Sequence, residues 1–266
     1  MKLKVLAGIF VVLIAAALIM GCTGPASSTD KTIELRVSHH LPPTHLLHSF
    51  TEEILSRTEQ ETGGKVKFTI YPAGSLVAGA EAADGVISGT SDIDTAFVAS
   101  FAAGRFPRSE VITLPPAILH SSVSSPLYWE FYNDFLKDDW TELKVLGLYV
   151  QPAMTVHSID KPVRTMDDLK GMQIRVPGPI GVRTAESLGA TPVAIPMPET
   201  YEALQKKVCD GVFVGYYEIN TGWNLGDVTS YHTDIPVMAF DFWVIMNKDK
   251  YNSLPSDVKK VFDKWG

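Results

Sequence analysis

Two stretches of this chain run through short alternating and helical patterns in the same order, and that repetition limits the fold more than any other feature. In the first, Ile33-Glu34-Leu35-Arg36-Val37-Ser38 alternates apolar and polar residues, which predicts a strand. Phe50, Ile54 and Leu55 recur at helical spacing until Gly63-Gly64 ends the run. Residues 66–70 alternate again, Pro72, Gly74 and Gly79 punctuate, residues 80–88 read as helix and residues 93–98 as a third strand. In the second stretch, residues 143–150 form an apolar strand and Thr165 caps a short helix ending at Leu169. Strands at 172–176 and 191–195 then alternate with helices at 178–188 and 198–208, and residues 212–214 add one more strand. This order implies right-handed crossovers in largely parallel sheets, hence an α/β protein with two similar halves. No short-period repeat supports a solenoid.

A leader precedes these halves. Lys2 and Lys4 open the chain, residues 5–20 are sixteen apolar residues without a break, and Ile19-Met20-Gly21-Cys22 closes the run. A basic start, an apolar core and a small-residue exit describe a secretory signal. A membrane-spanning helix needs roughly 20 apolar residues, so this run is short for one. The cysteine after Gly21 resembles a lipobox, in which the signal is cut before a lipid-modified Cys22; the alternative is an uncleaved anchor. Either way the remainder is expected outside the cytoplasmic membrane, in the periplasm or at the cell surface, and tethered to it. Residues 1–21 are read as the signal peptide. Residues 22–31, with their small polar run TGPASSTDK, are read as a flexible tether.

Of the 266 residues, 45% are hydrophobic and 20% charged, ordinary values for a globular chain with its own core. Without Lys2 and Lys4 there are 21 basic and 30 acidic residues, a formal charge of −9. An acidic chain with no basic block has no electrostatic footprint for nucleic acid. An anionic ligand must be drawn in by local cations against the overall field. Cys209 is the other cysteine, and with Cys22 acylated no internal disulfide can form; Cys209 is expected to be a buried, inert thiol.

Several residues are candidates for chemistry. Arg175 ends the strand Met172-Gln173-Ile174-Arg175-Val176, and Pro177-Gly178-Pro179 follows. Open α/β sheets bind ligands at the carboxyl ends of their strands. A guanidinium there presents a planar fork to both oxygens of a carboxylate, and the next helix adds free N–H groups and partial positive charge. On position alone a surface ion pair, worth about 0–1 kcal/mol, is an equal reading. His39, His40, His45 and His48 cluster, but Pro42-Pro43 separates the pairs and the four-ligand zinc pattern is missing, so no metal and no cofactor is expected. The loop of residues 39–45 follows the first strand and should border any cleft; His39 and His40, at the strand's end, would point to opposite faces, and His45 is expected at a helix start or along the cleft. Phe97, Ser100 and Phe101 follow the third strand; the rings belong either to the core or over the apolar body of a ligand. Tyr216, Tyr217, Asn220 and Trp223 follow the strand at 212–214 and enter the cleft from the second half, although periodicity does not separate cleft from core among them. No Gly-x-Ser-x-Gly, phosphate-binding glycine loop or paired carboxylates indicate an enzyme.

The segment DDLKGMQIRVPGPIGVRTAESLGATPVAIPMPETYEALQKKVCDG, residues 167–211, resembles the signature region of the solute receptors of TRAP (tripartite ATP-independent periplasmic) transporters, of the dicarboxylate-receptor type. Thr44-His45, Gly64-Lys65-Val66, Tyr71-Pro72-Ala73-Gly74-Ser75-Leu76, Leu114-Pro115 and Met246-Asn247-Lys248-Asp249-Lys250 are similar to other parts of that family, so the likeness spans residues 33–264. The resemblance implies a two-lobed periplasmic-binding-protein-like fold (type II-like), with mixed sheets flanked by helices and a hinged cleft. It places lobe I in residues 32–150 with 237–250, and lobe II in residues 151–236 with 251–266. It further implies a receptor without catalytic activity that hands an organic-acid anion to a small and a large membrane subunit. By its place in the family motif, Arg175 would hold the carboxylate, with Gln151 and Pro177 beside it. An ABC-type binding lipoprotein, or a lipid-anchored metal-binding protein or hydrolase, are the alternatives.

Three departures from the family shape the expected ligand. Gln151 to Ser158 lacks the second arginine of sialic-acid receptors, Val98 stands where those carry an acid, and Asp210-Gly211-Val212-Phe213-Val214 lacks the asparagine of DGQEN. The cleft is therefore expected to be poorer in polar anchors than a sugar-acid site, and its ligand to be a monocarboxylate with an apolar or aromatic body, or a 2-oxo or 2-hydroxy acid. Family members continue through long helices past Leu254-Pro255, and this sequence, ending at Gly266, is expected to be truncated.

Overall fold

The computed structural model describes residues 32–98, 104–114, 120–220 and 222–265, without the side chains of 96–98. The leader, the tether, Cys22, Ser100 and Phe101 lie outside the described residues, and Phe97 is described only as backbone in the third strand.

Two five-stranded sheets form the framework, ordered β2-β1-β3-β10-β4 and β7-β6-β8-β5-β9. In the first, β1 (Ile33–Ser38) runs parallel to β2 (Val66–Tyr71) and to β3 (Ile93–Val98), as the alternation predicts. The late strand β10 (Asp241–Asn247) enters antiparallel between β3 and β4 (Leu143–Val150), so this sheet is mixed, not largely parallel. In the second, β6 (Gln173–Val176) lies parallel to β7 (Thr191–Ala194) and β8 (Gly211–Val214). There β5 (Met154–Ser158) runs antiparallel to both β8 and β9 (Tyr231–Met238). All residues of β5 and β8 are buried, as expected of strands covered on both faces. Gly211 has to be glycine at its place: a Cβ would sit 2.6 Å from the His157 carbonyl oxygen.

The helices follow local signals with one exception. Helix α1 (Leu46–Glu61) starts at His45, whose Nδ1 accepts from Leu47 N, and α2 (Ala82–Ile87) returns the chain to β3. Helix α3 (Ser121–Phe131) forms despite Pro126 and four serines. It is held from outside: Val150 N donates to Ser125 Oγ at 3.0 Å, fastening it to the end of β4. Helix α4 (Met166–Leu169) has the Thr165/Asp168 capping box, α5 (Gly178–Ser187) follows β6, and α6 (Thr200–Gln205) and α7 (Tyr216–Asn220) flank β8.

The last two helices, α8 (Lys248–Ser253) and α9 (Ser256–Phe262), correct the lobe assignment. Residues 251–266 are expected with the second lobe, yet Leu254, Val258 and Phe262 are buried with Leu35, Val37, Leu55 and Val66 of the first. Trp265 Nε1 donates to Thr58 Oγ1 at 3.0 Å, and Lys65 pairs with Asp257 at 2.6 Å. The apolar face of α9 covers α1 and the first sheet, and burying that face outweighs any preference set by chain order. No helix among the described residues is long and apolar enough to cross a membrane.

Among the described residues two strand connections run between the sheets: β4 into β5 through Gln151, Pro152 and Ala153, and β9 into β10 through Ala239 and Phe240. They lie side by side. Asp241 pairs with Val150, and Gln151 N donates to Phe240 O at 2.9 Å.

Candidate functional site

Within each sheet one strand lies between the next two strands of the chain: β1 between β2 and β3, and β6 between β7 and β8. The segments leaving such switch-point strands diverge and open a crevice at the strands' carboxyl ends. Here the two crevices face one another. They enclose a cavity of about 630 Å³, lined by His40, Leu41, His45 and Phe242 of the first lobe. Arg175, Val176, Pro177, Glu218 and Trp223 line it from the second lobe, with Gln151 and Phe240 at the hinge. That volume suits a small organic molecule.

Arg175 closes the floor. It is 3% exposed, and its Nε donates to Ile195 O at 2.9 Å, which fixes the plane of the guanidinium. Its remaining N–H groups have no hydrogen-bond partner among the described residues, and no carboxylate pairs with it. Burial pulls its pKa down to about 10, opposed by Cys209 and Glu218, so at neutral pH it stays charged. A desolvated cation without a counter-ion is costly in itself and favours an anion that completes its hydrogen bonds. The first residues of α5, Gly178 and Pro179, line the same floor, so the positive end of that helix adds to the attraction.

The opposite wall carries His45. Its pKa is depressed to about 4 by burial, so it is a neutral imidazole at physiological pH. Its ring meets that of Tyr217 edge-on at 4.9 Å, and Tyr217 Oη accepts from Leu46 N at 2.6 Å. This contact runs from the start of α1 in the first lobe to α7 in the second and latches one side of the cleft. His39 and His48 bond each other, Nε2 to Nδ1, at 2.9 Å. His39 and His40 lie in the loop after β1, as expected from its two prolines. Among the described residues no group of three His, Cys, Asp or Glu side chains is arranged to hold a metal ion. Cys209 is buried, and burial pushes its thiol up to about 11.

Of the residues singled out in the sequence, Arg175, His45, Gln151, Pro177 and Trp223 lie around one cavity. Tyr217 guards its edge. Tyr216 does not take part: it is 41% exposed, and its ring contacts His157 and His232 on the far side of α7. Glu218, between Tyr217 and Ile219, was not foreseen and lines the cavity as a buried carboxyl. A second cavity of about 560 Å³ on the first lobe is lined by Leu47, Phe50, Ile54, Pro126 and Trp129 and has no cation to attract an anion.

Residues 37–265 match the family described as bacterial extracellular solute-binding protein, family 7 (DctP). The chain belongs to this family. It is thus an extracytoplasmic receptor of the TRAP type that captures organic-acid anions and works with membrane transporter subunits. A TRAP solute-binding protein from Rhodoferax ferrireducens, in complex with copurified benzoate, is similar at a TM-score of 0.82 and 28% identity, covering 88% of this chain and 74% of that one. A marine-metagenome TRAP protein specific for aromatic acids, holding 3-hydroxybenzoate, superposes at 0.83 with 29% identity, covering 88% and 75%. The outer membrane transporter protein TsaT of Comamonas testosteroni is 27% identical over 256 residues, 94% of this chain and 75% of its own length.

Proposed function

We propose that this family 7 receptor binds a monocarboxylate with an apolar or aromatic body, or a 2-oxo or 2-hydroxy acid, with Arg175 as the anchor. The observation that carries this reading is the buried guanidinium, unpaired among the described residues, on the floor of the cavity between the lobes. Val176, Val214, Trp223, Phe240 and Phe242 offer apolar surface for the body of such a ligand. The benzoate and 3-hydroxybenzoate held by the two similar structures support the same class. The ligand is released unchanged to the small and large membrane subunits.

A ligand present at 100 times its Kd stabilises the folded state by about 2.7 kcal/mol. At about 2–4 °C per kcal/mol for a chain of this size, benzoate, phenylacetate or mandelate in excess is expected to raise Tm by roughly 5–10 °C. Zinc and sialic acid are expected to leave it in place. A shift with sialic acid and none with any monocarboxylate would overturn the reading. Mass spectrometry of the copurified small molecule identifies the natural ligand.

We also propose that the receptor is held at the membrane by a lipid on Cys22, on the strength of the short apolar leader and its Gly21-Cys22 exit. The intact mass of detergent-extracted protein from a lipoprotein-processing host is expected to begin at Cys22 and to exceed the peptide mass by acyl chains. A soluble product cut elsewhere would rule out the anchor.

A further inference from the structure

The two ring nitrogens of His45 are employed differently. The residue stands at the start of α1, 2% exposed, on the first-lobe wall of the cavity. Its Nδ1 accepts from Leu47 N at 3.2 Å. A backbone N–H can only donate, so Nδ1 carries the lone pair and the proton of the neutral ring is on Nε2. The ring is held on two sides. Tyr217 meets it edge-on at 4.9 Å, and Gly222 leaves it room: a Cβ there would lie 3.2 Å from Cδ2, the atom bonded to Nε2. Nε2 donates to no described residue and, unlike the Nδ1 of His39, is not sealed away from all surface. The imidazole is therefore a fixed, uncharged donor with one hydrogen bond left to give on the cavity side. Closing the cavity over a ligand strips water from that donor, and a polar group stranded in this way loses free energy. The ligand's carboxylate belongs to Arg175 on the opposite wall, so the group that meets His45 is at the other end of the molecule. That group is an acceptor. A second carboxylate fits poorly, because a charge buried against an uncharged ring loses more hydration than one neutral hydrogen bond returns. A carbonyl, ether or hydroxyl oxygen fits.

We propose that His45 Nε2 donates to an uncharged oxygen at the end of the ligand remote from its carboxylate, so that the receptor selects carboxylic acids whose apolar body ends in a carbonyl, ether or hydroxyl group. This rests on the reading of Arg175 as the anchor and adds a second point of recognition on the other lobe. A ligand held at both ends ties the lobes together beside the contact of Tyr217 with His45 and Leu46. A site built to hydrogen-bond an oxygen discriminates against the analogue lacking it, because its own polar group is then stranded.

The test compares matched acids by isothermal titration calorimetry: 3-acetylbenzoate against 3-isopropylbenzoate, and 4-acetylbenzoate against 4-isopropylbenzoate. The members of each pair are close in size, and the acetyl group adds an acceptor and no donor. In the unaltered receptor at least one acetyl acid is expected to bind about fivefold or more tightly than its isopropyl partner. His45→Asn keeps an oxygen to cap Leu47 N but is too short to bring a donor to the place of Nε2, and in it the preference within that pair is expected to vanish or reverse. His45→Phe, which keeps a ring against Tyr217, takes its place should the asparagine variant fail to fold by thermal melting. The inference is overturned by isopropyl acids binding as tightly as acetyl acids in both pairs, or by an acetyl preference that survives the substitution. In those cases continued binding of benzoate leaves the Arg175 reading standing. Failure of benzoate and all four substituted acids to bind the unaltered receptor overturns both.

Discussion

Arg175→Ala is expected to raise the Kd for a bound monocarboxylate by at least about 30-fold while the receptor stays folded. Losing one partner of a buried, hydrogen-bonded charge pair costs about 2–5 kcal/mol, much of it from the charge left behind. In the unliganded receptor the sign reverses. The guanidinium is buried without a counter-ion among the described residues, and removing it relieves a desolvation cost that no internal pairing offsets. The melting temperature of the empty variant is therefore expected to equal or exceed that of the unaltered protein. This is the usual sign of a residue kept for binding at the expense of stability. Arg175→Lys keeps a charge but loses the fork and the Nε bond to Ile195 O, and is expected to recover only part of the affinity. Calorimetry together with thermal melts reads both effects. Unchanged affinity in Arg175→Ala, with the fold intact, would remove Arg175 from the site.

Acidification is expected to lower the melting temperature by at least about 10 °C between pH 7 and pH 4.5. His39, His45 and His157 are all buried, and burial depresses each to about 4 from an ordinary 6.5. His48 beside His39 and His232 beside His157 add like-charge repulsion to any proton taken up. The unfolded chain accepts these protons as the pH falls through about 6.5, and the folded chain resists until about 4. The stability contributed by neutral histidines is thus complete above 6.5 and is lost on the way down to 4. Asp94 acts in the opposite sense: burial raises it to about 7, so it favours the folded state at low pH and opposes it as the pH rises towards 7. Glu218, also raised by burial, has the same sign as Asp94. Each pKa unit is worth about 1.4 kcal/mol per group, and three depressed histidines outweigh two raised carboxyls over most of this window. Melts at a series of pH values decide it; a flat or rising Tm on acidification contradicts the balance.

The parallel halves of the fold were readable because β1, β2, β6 and β8 announce themselves by alternation or unbroken apolarity between clear turn residues. Arg175 was readable because a strand end, a Pro-Gly-Pro turn and a family motif coincide there. Elsewhere local signals were silent or misleading. Residues 121–131 carry four serines and Pro126, which favour a turn, and their helix exists through tertiary contacts such as Ser125 to Val150. The tail after Leu254 is visibly amphipathic, but an apolar stripe does not say which lobe it covers. Tyr216 and Tyr217 are neighbours on a five-residue helix, too short for periodicity to separate the ring facing His157 from the one facing His45. Glu218 was passed over because an acid in a helix is usually solvated; it is buried beside Gln151, 67 residues earlier in the chain, a contact that no local spacing encodes.

The paired strands at residues 150–154 and 238–241 have a mechanical consequence. Because Val150 and Asp241 are partners in one ladder and Gln151 is bonded to Phe240, neither crossing can bend without the other. Swivelling one half independently would break that ladder, so any relative movement of the two halves has to pass through both crossings as one pivot.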